Sequence, residues 1–205
     1  MRGERRKKDG RIEWRKWEPS KSKIAAALLR TKHDSVEILP NPGSTCLYLG
    51  ASSGGTVSHI HDIVCGADNH HGGQVVAVEI SPRMARDLLS LAKKRRGLVP
   101  VLGDARKPSE VAPFMRSRAD WIHQDLSIAD QAEAFVRMSE AFLKPGGTAI
   151  LSLKAASERT SDGDDDSRFE KAEKRILDSE LNLLERIDLS GLEEQHVVFW
   201  CSSSL

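Results

Sequence analysis

Cysteine is scarce in this chain, with only three in 205 residues. Cys46, Cys65 and Cys201 are widely spaced and form neither a CxxC pair nor a zinc-ligand pattern, which argues against a disulfide framework or a structural metal. No run of about 18 apolar residues occurs, so no membrane-spanning helix and no membrane association is expected. The basic N-terminus lacks the apolar stretch of a secretory signal, and a cytoplasmic protein is the expectation. Net charge is almost absent as well: 31 Lys and Arg face 30 Asp and Glu, giving +1. What remains is ordinary globular composition, 39% apolar and 30% charged, on a length that suits one domain with a real core.

The near-zero charge hides an asymmetry. Residues 1–23 carry ten basic and four acidic side chains, a net +6, which leaves −5 for residues 24–205. A basic arm on an acidic body fits either a polyanionic partner, most simply nucleic acid, or a solubilising, disordered N-terminus. Residues 1–13 are read as a flexible arm and residues 14–205 as the folded domain.

After the arm, apolar runs alternate with helical patterns. Ser22–Arg30 is rich in strong helix formers. Strands are expected at Thr45–Leu49, Gln74–Glu79, Leu98–Leu102, Ala119–Leu126 and Thr148–Lys154. Helices are expected at about 56–64, from Ser81-Pro82 to about Arg95, at 130–143 and at 168–179. Ser81-Pro82 reads as a cap and first-turn proline, and Lys144-Pro145-Gly146-Gly147 as a helix stop. Two closing strands, 181–189 and 195–201, are separated by only five residues and are better joined as an antiparallel pair. Strands alternating with helices imply an α/β fold: a mostly parallel sheet with helices on both faces.

In such a sheet ligands bind beyond the carboxyl ends of the strands. The first strand runs into Gly50-Ala51-Ser52-Ser53-Gly54-Gly55-Thr56, where glycines permit close backbone approach. Ser52 breaks the G-x-G-x-x-G pattern, which disfavours a pyrophosphate site. Glu79 ends the second strand and can accept from both hydroxyls of a ribose. Asp104 follows the third, where its carboxylate can accept from an adenine amino group while the Ala105 N–H donates to a ring nitrogen. Asp125 ends the fourth. Three strand-end acids beside a glycine-rich turn point to a nucleoside cofactor without phosphates, S-adenosylmethionine, whose sulfonium cation suits carboxylates. His70 and His71 beside Asp68 are either metal ligands or a solvated loop, and the loop is the expectation; no metal is expected.

Lys154 ends the fifth strand on the rim that carries Asp125, and Lys23 opens the helix before the sheet. A Lys–Asp–Lys cluster suits 2′-O-methylation of ribose. The hydroxyl is a poor nucleophile that must lose its proton, and a lysine with a lowered pKa can accept it. The alternative for each lysine is a solvated surface charge.

Several segments together resemble the fibrillarin family, especially its archaeal fibrillarin-like RNA 2′-O-methyltransferases. They are Trp14-Arg15-Lys16-Trp17-Glu18-Pro19 with Ser22-Lys23-Ile24-Ala25-Ala26-Ala27; Tyr48 through His59; Ala77-Val78-Glu79-Ile80-Ser81-Pro82-Arg83; Asp104-Ala105-Arg106-Lys107-Pro108; Gln124-Asp125 with Asp130-Gln131-Ala132; and Leu153-Lys154-Ala155. The resemblance runs from about Trp14 to Val198. It implies a Rossmann-like class I methyltransferase fold, a seven-stranded, mostly parallel sheet with its last strand antiparallel. It implies S-adenosylmethionine contacts at Gly50, Ala51, Gly55, Thr56, Glu79, Ile80, Asp104 and Ala105 and along the turn Asp125, Leu126, Ser127 and Ile128. It implies catalytic roles for Lys23, Asp125 and Lys154. It also implies a box C/D ribonucleoprotein in which a guide RNA selects the ribose in ribosomal or transfer RNA and a Nop-family scaffold protein recruits the enzyme. Candidate RNA contacts are Arg5, Arg6, Lys7, Lys8, Arg11, Arg15, Lys16 and Lys21. Trp14 and Trp17 either pack on the body or stack on RNA, with packing expected for at least one.

The chain departs from the family pattern in four places, one of them a loop from Cys65 to Gly73 that is longer than usual. Gly55-Thr56 stands where the family usually has Thr-Thr. Asp125-Leu126-Ser127-Ile128-Ala129 lacks the usual glutamine. The small N-terminal β-rich domain of archaeal members is expected to be absent. Two other readings accompany the leading one: a stand-alone RNA or protein methyltransferase without a guide, and a non-catalytic subunit of an RNA–protein complex.

Overall fold

The computed structural model describes residues 6–9, 12–158 and 164–204. Among these residues nine strands and six α-helices follow in chain order: β1 Arg6–Asp9, β2 Ile12–Arg15, α1 Lys23–Arg30, β3 Thr45–Leu49, α2 Gly55–Cys65, β4 Gln74–Glu79, α3 Pro82–Ala92, β5 Leu98–Leu102, α4 Pro108–Val111, β6 Ala119–Gln124, α5 Gln131–Phe142, β7 Leu143–Lys154, α6 Asp165–Leu177, β8 Leu181–Asp188 and β9 His196–Ser203. Strands β3 to β9 form one sheet in the order β5-β4-β3-β6-β7-β9-β8. Neighbours from β5 to β7 run parallel, and β9 is antiparallel to both β7 and β8. The sheet is therefore the seven-stranded one expected, with its last strand antiparallel.

Parallel strands covered on both faces lose the polar alternation of a half-exposed sheet, and β3 is buried at every position. Two apolar layers result. Helices α1, α2 and α3 pack Ile24, Val57, Ile60 and Leu88 onto Cys46, Tyr48, Trp121 and Ile150. On the other face α5 and α6 pack Phe135, Val136, Phe169 and Ile176 onto Leu47, Ile122, Leu151 and Phe199. Among the described residues no helix is long and apolar enough to cross a membrane.

The N-terminal segment departs from the expected flexible arm. β1 and β2 pair antiparallel, Arg6 opposite Arg15, Lys7 opposite Trp14 and Lys8 opposite Glu13. The boundary drawn at residue 13 thus falls inside β2. Cross-strand pairing explains the difference, since the Arg6–Glu13 ion pair (2.8 Å) offsets part of the repulsion among the basic side chains. Arg5 and Arg11 lie outside the described residues.

Other boundaries moved for local reasons. α3 ends at Ala92 instead of Arg95, and β6 ends at Gln124 instead of Leu126. The Lys144–Gly147 segment does stop α5, yet Leu143 already pairs with Ala119, so β7 begins five residues earlier than expected. Ser81 makes no side-chain cap bond; its backbone N–H donates to Glu79 Oε1 instead (2.7 Å). The N-terminus of α5 is capped from a distance: Glu158 accepts from the N–H groups of Asp130 and Gln131 at 3.2 and 2.8 Å. That carboxylate satisfies donors that no local residue reaches.

Candidate active site at the carboxyl ends of the strands

The turn after β3 and the turn after β6 meet at Gly50. Its φ is +86°, and a Cβ there would stand 2.1 Å from the carbonyl oxygen of Asp125. Only glycine fits, on both conformational and steric grounds. The Gly50 and Ala51 N–H groups both donate to the Val78 carbonyl, at 3.0 and 2.9 Å, and the Asp125 N–H donates to the Leu49 carbonyl at 2.9 Å. Three adjacent strand ends are thus tied at one point.

Glu79 is buried and held by backbone: Oε2 accepts from the Ser52 N–H and Oε1 from the Ser81 N–H, both at 2.7 Å. Charge-assisted bonds of this kind fix the carboxylate before any ligand arrives. Ile80 beside it is 63% exposed, an apolar side chain on the rim with nothing covering it. Asp104 is buried, and its carboxylate accepts from the Arg106 N–H, Nε and Nη2 at 3.0, 2.9 and 2.8 Å. These hydrogen bonds from Arg106 outweigh the opposing effect of burial and hold the acid down at about 2. Ala105 is buried, Gly55 is exposed, and a Cβ at Gly55 would meet only open space. Leu126 and Ile128 are half-buried and Ser127 is exposed. Thr56, expected on the cofactor, donates its hydroxyl to Ser22 Oγ (3.0 Å), the side chain that caps α1. This bond joins the start of α2 to the start of α1.

Lys23 and Asp125, 102 positions apart, form an ion pair at 2.9 Å on the rim. Ser22 makes this possible. By capping α1 through the Ala25 N–H it starts the helix at Lys23, and the buried Ile24 and Ala26 fix the helix against the sheet. Lys154 ends β7, half-buried. In the β6–β7 register His123 lies opposite Ile150. Alternation therefore puts His123, Asp125 and Lys154 on the face that α1 covers. Extending that register places Lys154 two residues beyond the position opposite Asp125, about 7 Å along the strand. The fold thus brings all three residues to one side of one rim.

Sequence reasoning missed what lies beneath them. His123 is buried, with Nε2 and the Ser152 hydroxyl 2.8 Å apart and its ring edge-on to Tyr48 at 4.6 Å. Burial depresses its pKa to about 4, with Lys23 lowering it further and Asp125 opposing, so it is neutral near pH 7. The period-two spacing of His123 from Asp125 was the available signal. Arg106, which holds Asp104, was also missed.

The candidate RNA contacts divide. Lys7, Lys8 and Lys21 are exposed. Arg6 pairs with Glu13, and Lys16 with Glu18 at 2.7 Å. Arg15 is corrected: its side chain is 9% exposed, is ion-paired to Asp62 and donates to Ser58 Oγ at 2.8 Å, so it clamps β2 onto α2. Trp17 packs on the body, stacked on His59 with ring centroids 4.9 Å apart, whereas Trp14 is 61% exposed. Among the described residues no cluster of His, Cys, Asp or Glu is arranged to hold a metal ion.

Comparison with known proteins gives a consistent result. The family model described as Fibrillarin matches residues 1–204. The chain is 38% identical to a fibrillarin-like rRNA/tRNA 2′-O-methyltransferase of Methanopyrus kandleri over 92% of this chain and 77% of that protein. The fold superimposes on Aeropyrum pernix fibrillarin with natively bound S-adenosyl-L-methionine at a TM-score of 0.83 and 31% identity, covering 98% of this chain and 83% of that one. It also matches a chain of a fibrillarin/Nop5p complex at 0.81 and 29% identity, covering 92% and 84%.

Proposed function

The chain belongs to the fibrillarin family, and from that premise we propose that it transfers a methyl group from S-adenosylmethionine to a ribose 2′-hydroxyl of ribosomal or transfer RNA. The observation that carries this reading is the Lys23–Asp125 ion pair on the rim that also bears Lys154. The residues present suit the cofactor. Three strand-end carboxylates complement a sulfonium, and the exposed Ile80 beside the buried Glu79 offers an apolar edge to a purine ring next to a ribose acceptor. Gly50, Ala51, Gly55, Glu79, Ile80, Asp104, Ala105 and the turn Asp125–Ile128 are the residues we assign to hold it. When bound, S-adenosylmethionine supplies an electrophilic methyl group.

Everything else falls to the protein. Lys154 accepts the proton of the 2′-hydroxyl as the oxygen attacks, a role in which a positioned base contributes roughly 10²–10⁴-fold. Asp125 offsets the charge of Lys23 and, on the same face, orients the Lys154 amine. Lys23, held on the same rim by Asp125, stands where the RNA backbone would approach. Holding hydroxyl and methyl donor in line supplies the remaining advantage.

In its biological setting the enzyme works with a Nop-family protein, and a box C/D guide RNA selects the target by base pairing. The match to a chain from a fibrillarin/Nop5p complex supports the protein partner. The test is reconstitution with a Nop-family scaffold, guide RNA and target, with the methylated ribose mapped. Methylation at the guide-specified ribose is expected. Methylation of naked RNA without a guide would show a stand-alone enzyme.

A further inference from the structure

A second concave surface lies away from the Lys23–Asp125 pair. It is a groove of about 1660 Å³ between the β1–β2 hairpin, α2 and the segment after α3. Ser53, in the turn that follows β3, also lines it, so the groove is continuous with the cofactor turn. The groove is open to solvent along its length, so its side chains are accessible to a partner.

Six Arg and Lys side chains line the groove against four Asp and Glu. Two of the four acids are paired with arginines. Asp62 is clamped between Arg15 and Arg95, and Glu13 is paired with Arg6. Burial raises the Asp62 pKa, but its hydrogen bonds to His61 and Arg95 and the charges of Arg95 and Arg15 outweigh that and hold it below the usual carboxylate range. Asp68 and Asp87 line the groove together with Lys93, Lys94 and Arg96. Those three cations are exposed and, among the described residues, form no ion pair. Trp14 also lines the groove, and its cross-strand neighbour on the same face of the hairpin is Lys7. A flat, exposed indole bordering a concave surface with unpaired cations is the combination that binds single-stranded nucleic acid: bases stack on the ring and phosphates meet the cations.

We propose that this groove is an RNA-binding site distinct from the catalytic rim, with Lys93, Lys94 and Arg96 on phosphates and Trp14 stacked on a base. The proposal rests on the reading that the protein acts on RNA, and it adds a second point of attachment for the strand. The clamp Arg15–Asp62–Arg95 gives the groove its shape by holding the hairpin against α2.

The test uses the full chain and a labelled twelve-nucleotide single-stranded RNA, followed by fluorescence anisotropy across a salt series. Circular dichroism and thermal unfolding serve as the measure of an intact fold, and calorimetry with S-adenosylmethionine reads cofactor binding separately. The triple variant Lys93→Ala, Lys94→Ala, Arg96→Ala is expected to lower the slope of log K against log salt by roughly 2, at about 0.7 per phosphate contact on a single strand. Trp14→Ala is expected to weaken binding by roughly 5- to 100-fold, and Trp14→Tyr to restore most of it. An unchanged slope in the triple variant, a Trp14→Tyr variant as weak as Trp14→Ala, or no RNA binding by the wild-type chain overturns the proposal. Guide-directed transfer that persists in a triple variant with unaltered RNA affinity removes the groove and leaves the transferase reading intact. A wild-type chain that ignores S-adenosylmethionine yet binds RNA through the groove removes the transferase reading and leaves the groove.

Discussion

The strand-end rim and the hairpin groove are both charged, yet they are built on opposite plans. At the rim the charges are few and fixed: Glu79 by two backbone N–H groups, Asp104 by Arg106, Asp125 by Lys23. In the groove the cations Lys93, Lys94 and Arg96 sit exposed on long side chains. The difference is one of pre-organisation. A group that must meet a reacting atom in one geometry gains from being held in place. A group that neutralises a phosphate anywhere along a flexible strand gains from reach, and its contribution falls with salt.

The sharpest way to break this contrast is at Lys154. Lys154→Ala should cut transfer by roughly 10²–10⁴-fold, measured in single turnovers, while S-adenosylmethionine affinity stays within a few fold. Equal loss of both would make Lys154 a binding or structural residue and erase the distinction between rim and groove. Next is His123, directly under the rim. Its folded pKa of about 4 lies below the ordinary value of 6.5, so the unfolded chain takes up a proton first as pH falls. The stability it permits is complete above pH 6.5 and is lost between there and pH 4, about 3 kcal/mol at one pKa unit per 1.4 kcal/mol. Urea midpoints should fall over that window in the wild type and fall less in His123→Phe; parallel profiles would show that His123 is not the titrating group. Glu79→Gln should weaken S-adenosylmethionine roughly 10- to 100-fold, the range for a charge-assisted hydrogen bond, by calorimetry. Unchanged affinity would mean that Glu79 only joins the Ser52 and Ser81 backbones. The smallest effect belongs to the groove. Asp62→Asn should cost about 1 kcal/mol or less, because the carboxylate is 42% exposed and surface pairs contribute little. A larger loss in thermal unfolding would show that the groove floor, too, is built like the rim.

Much of the rim was legible in the sequence because its residues follow apolar runs. A mostly apolar run announces where its strand ends, and Glu79, Asp104, Asp125 and Lys154 stand at or just past such ends. The closing antiparallel pair was readable from the five residues that join its strands, whereas the order of the strands in the sheet appears only in the structure. The hairpin was missed. Arg6 to Asp9 are all charged and offer no apolar signal for β1, although Ile12 and Trp14 alternate in β2 and Asp9-Gly10 is a turn signal that sequence reasoning passed over; the Arg6–Glu13 pair appears only in three dimensions. Arg15 was misread because a basic residue in a basic segment looks solvated; its partner Asp62 lies 47 positions away. Thr56 likewise found Ser22, 34 positions back. Charge counts reveal excess, not pairing.

The contact at Gly50 carries a consequence for how this protein can change. Because the Asp125 carbonyl occupies the space where any side chain at position 50 would begin, the turn after β3 and the turn after β6 share one hinge pin. A lineage or a designer altering the bend of either turn disturbs the other in the same step. Single substitutions at this point are therefore dead ends, and new cofactor or substrate preferences must be reached from the periphery, through residues such as Ile80 or Ile128, which move without dislodging both turns.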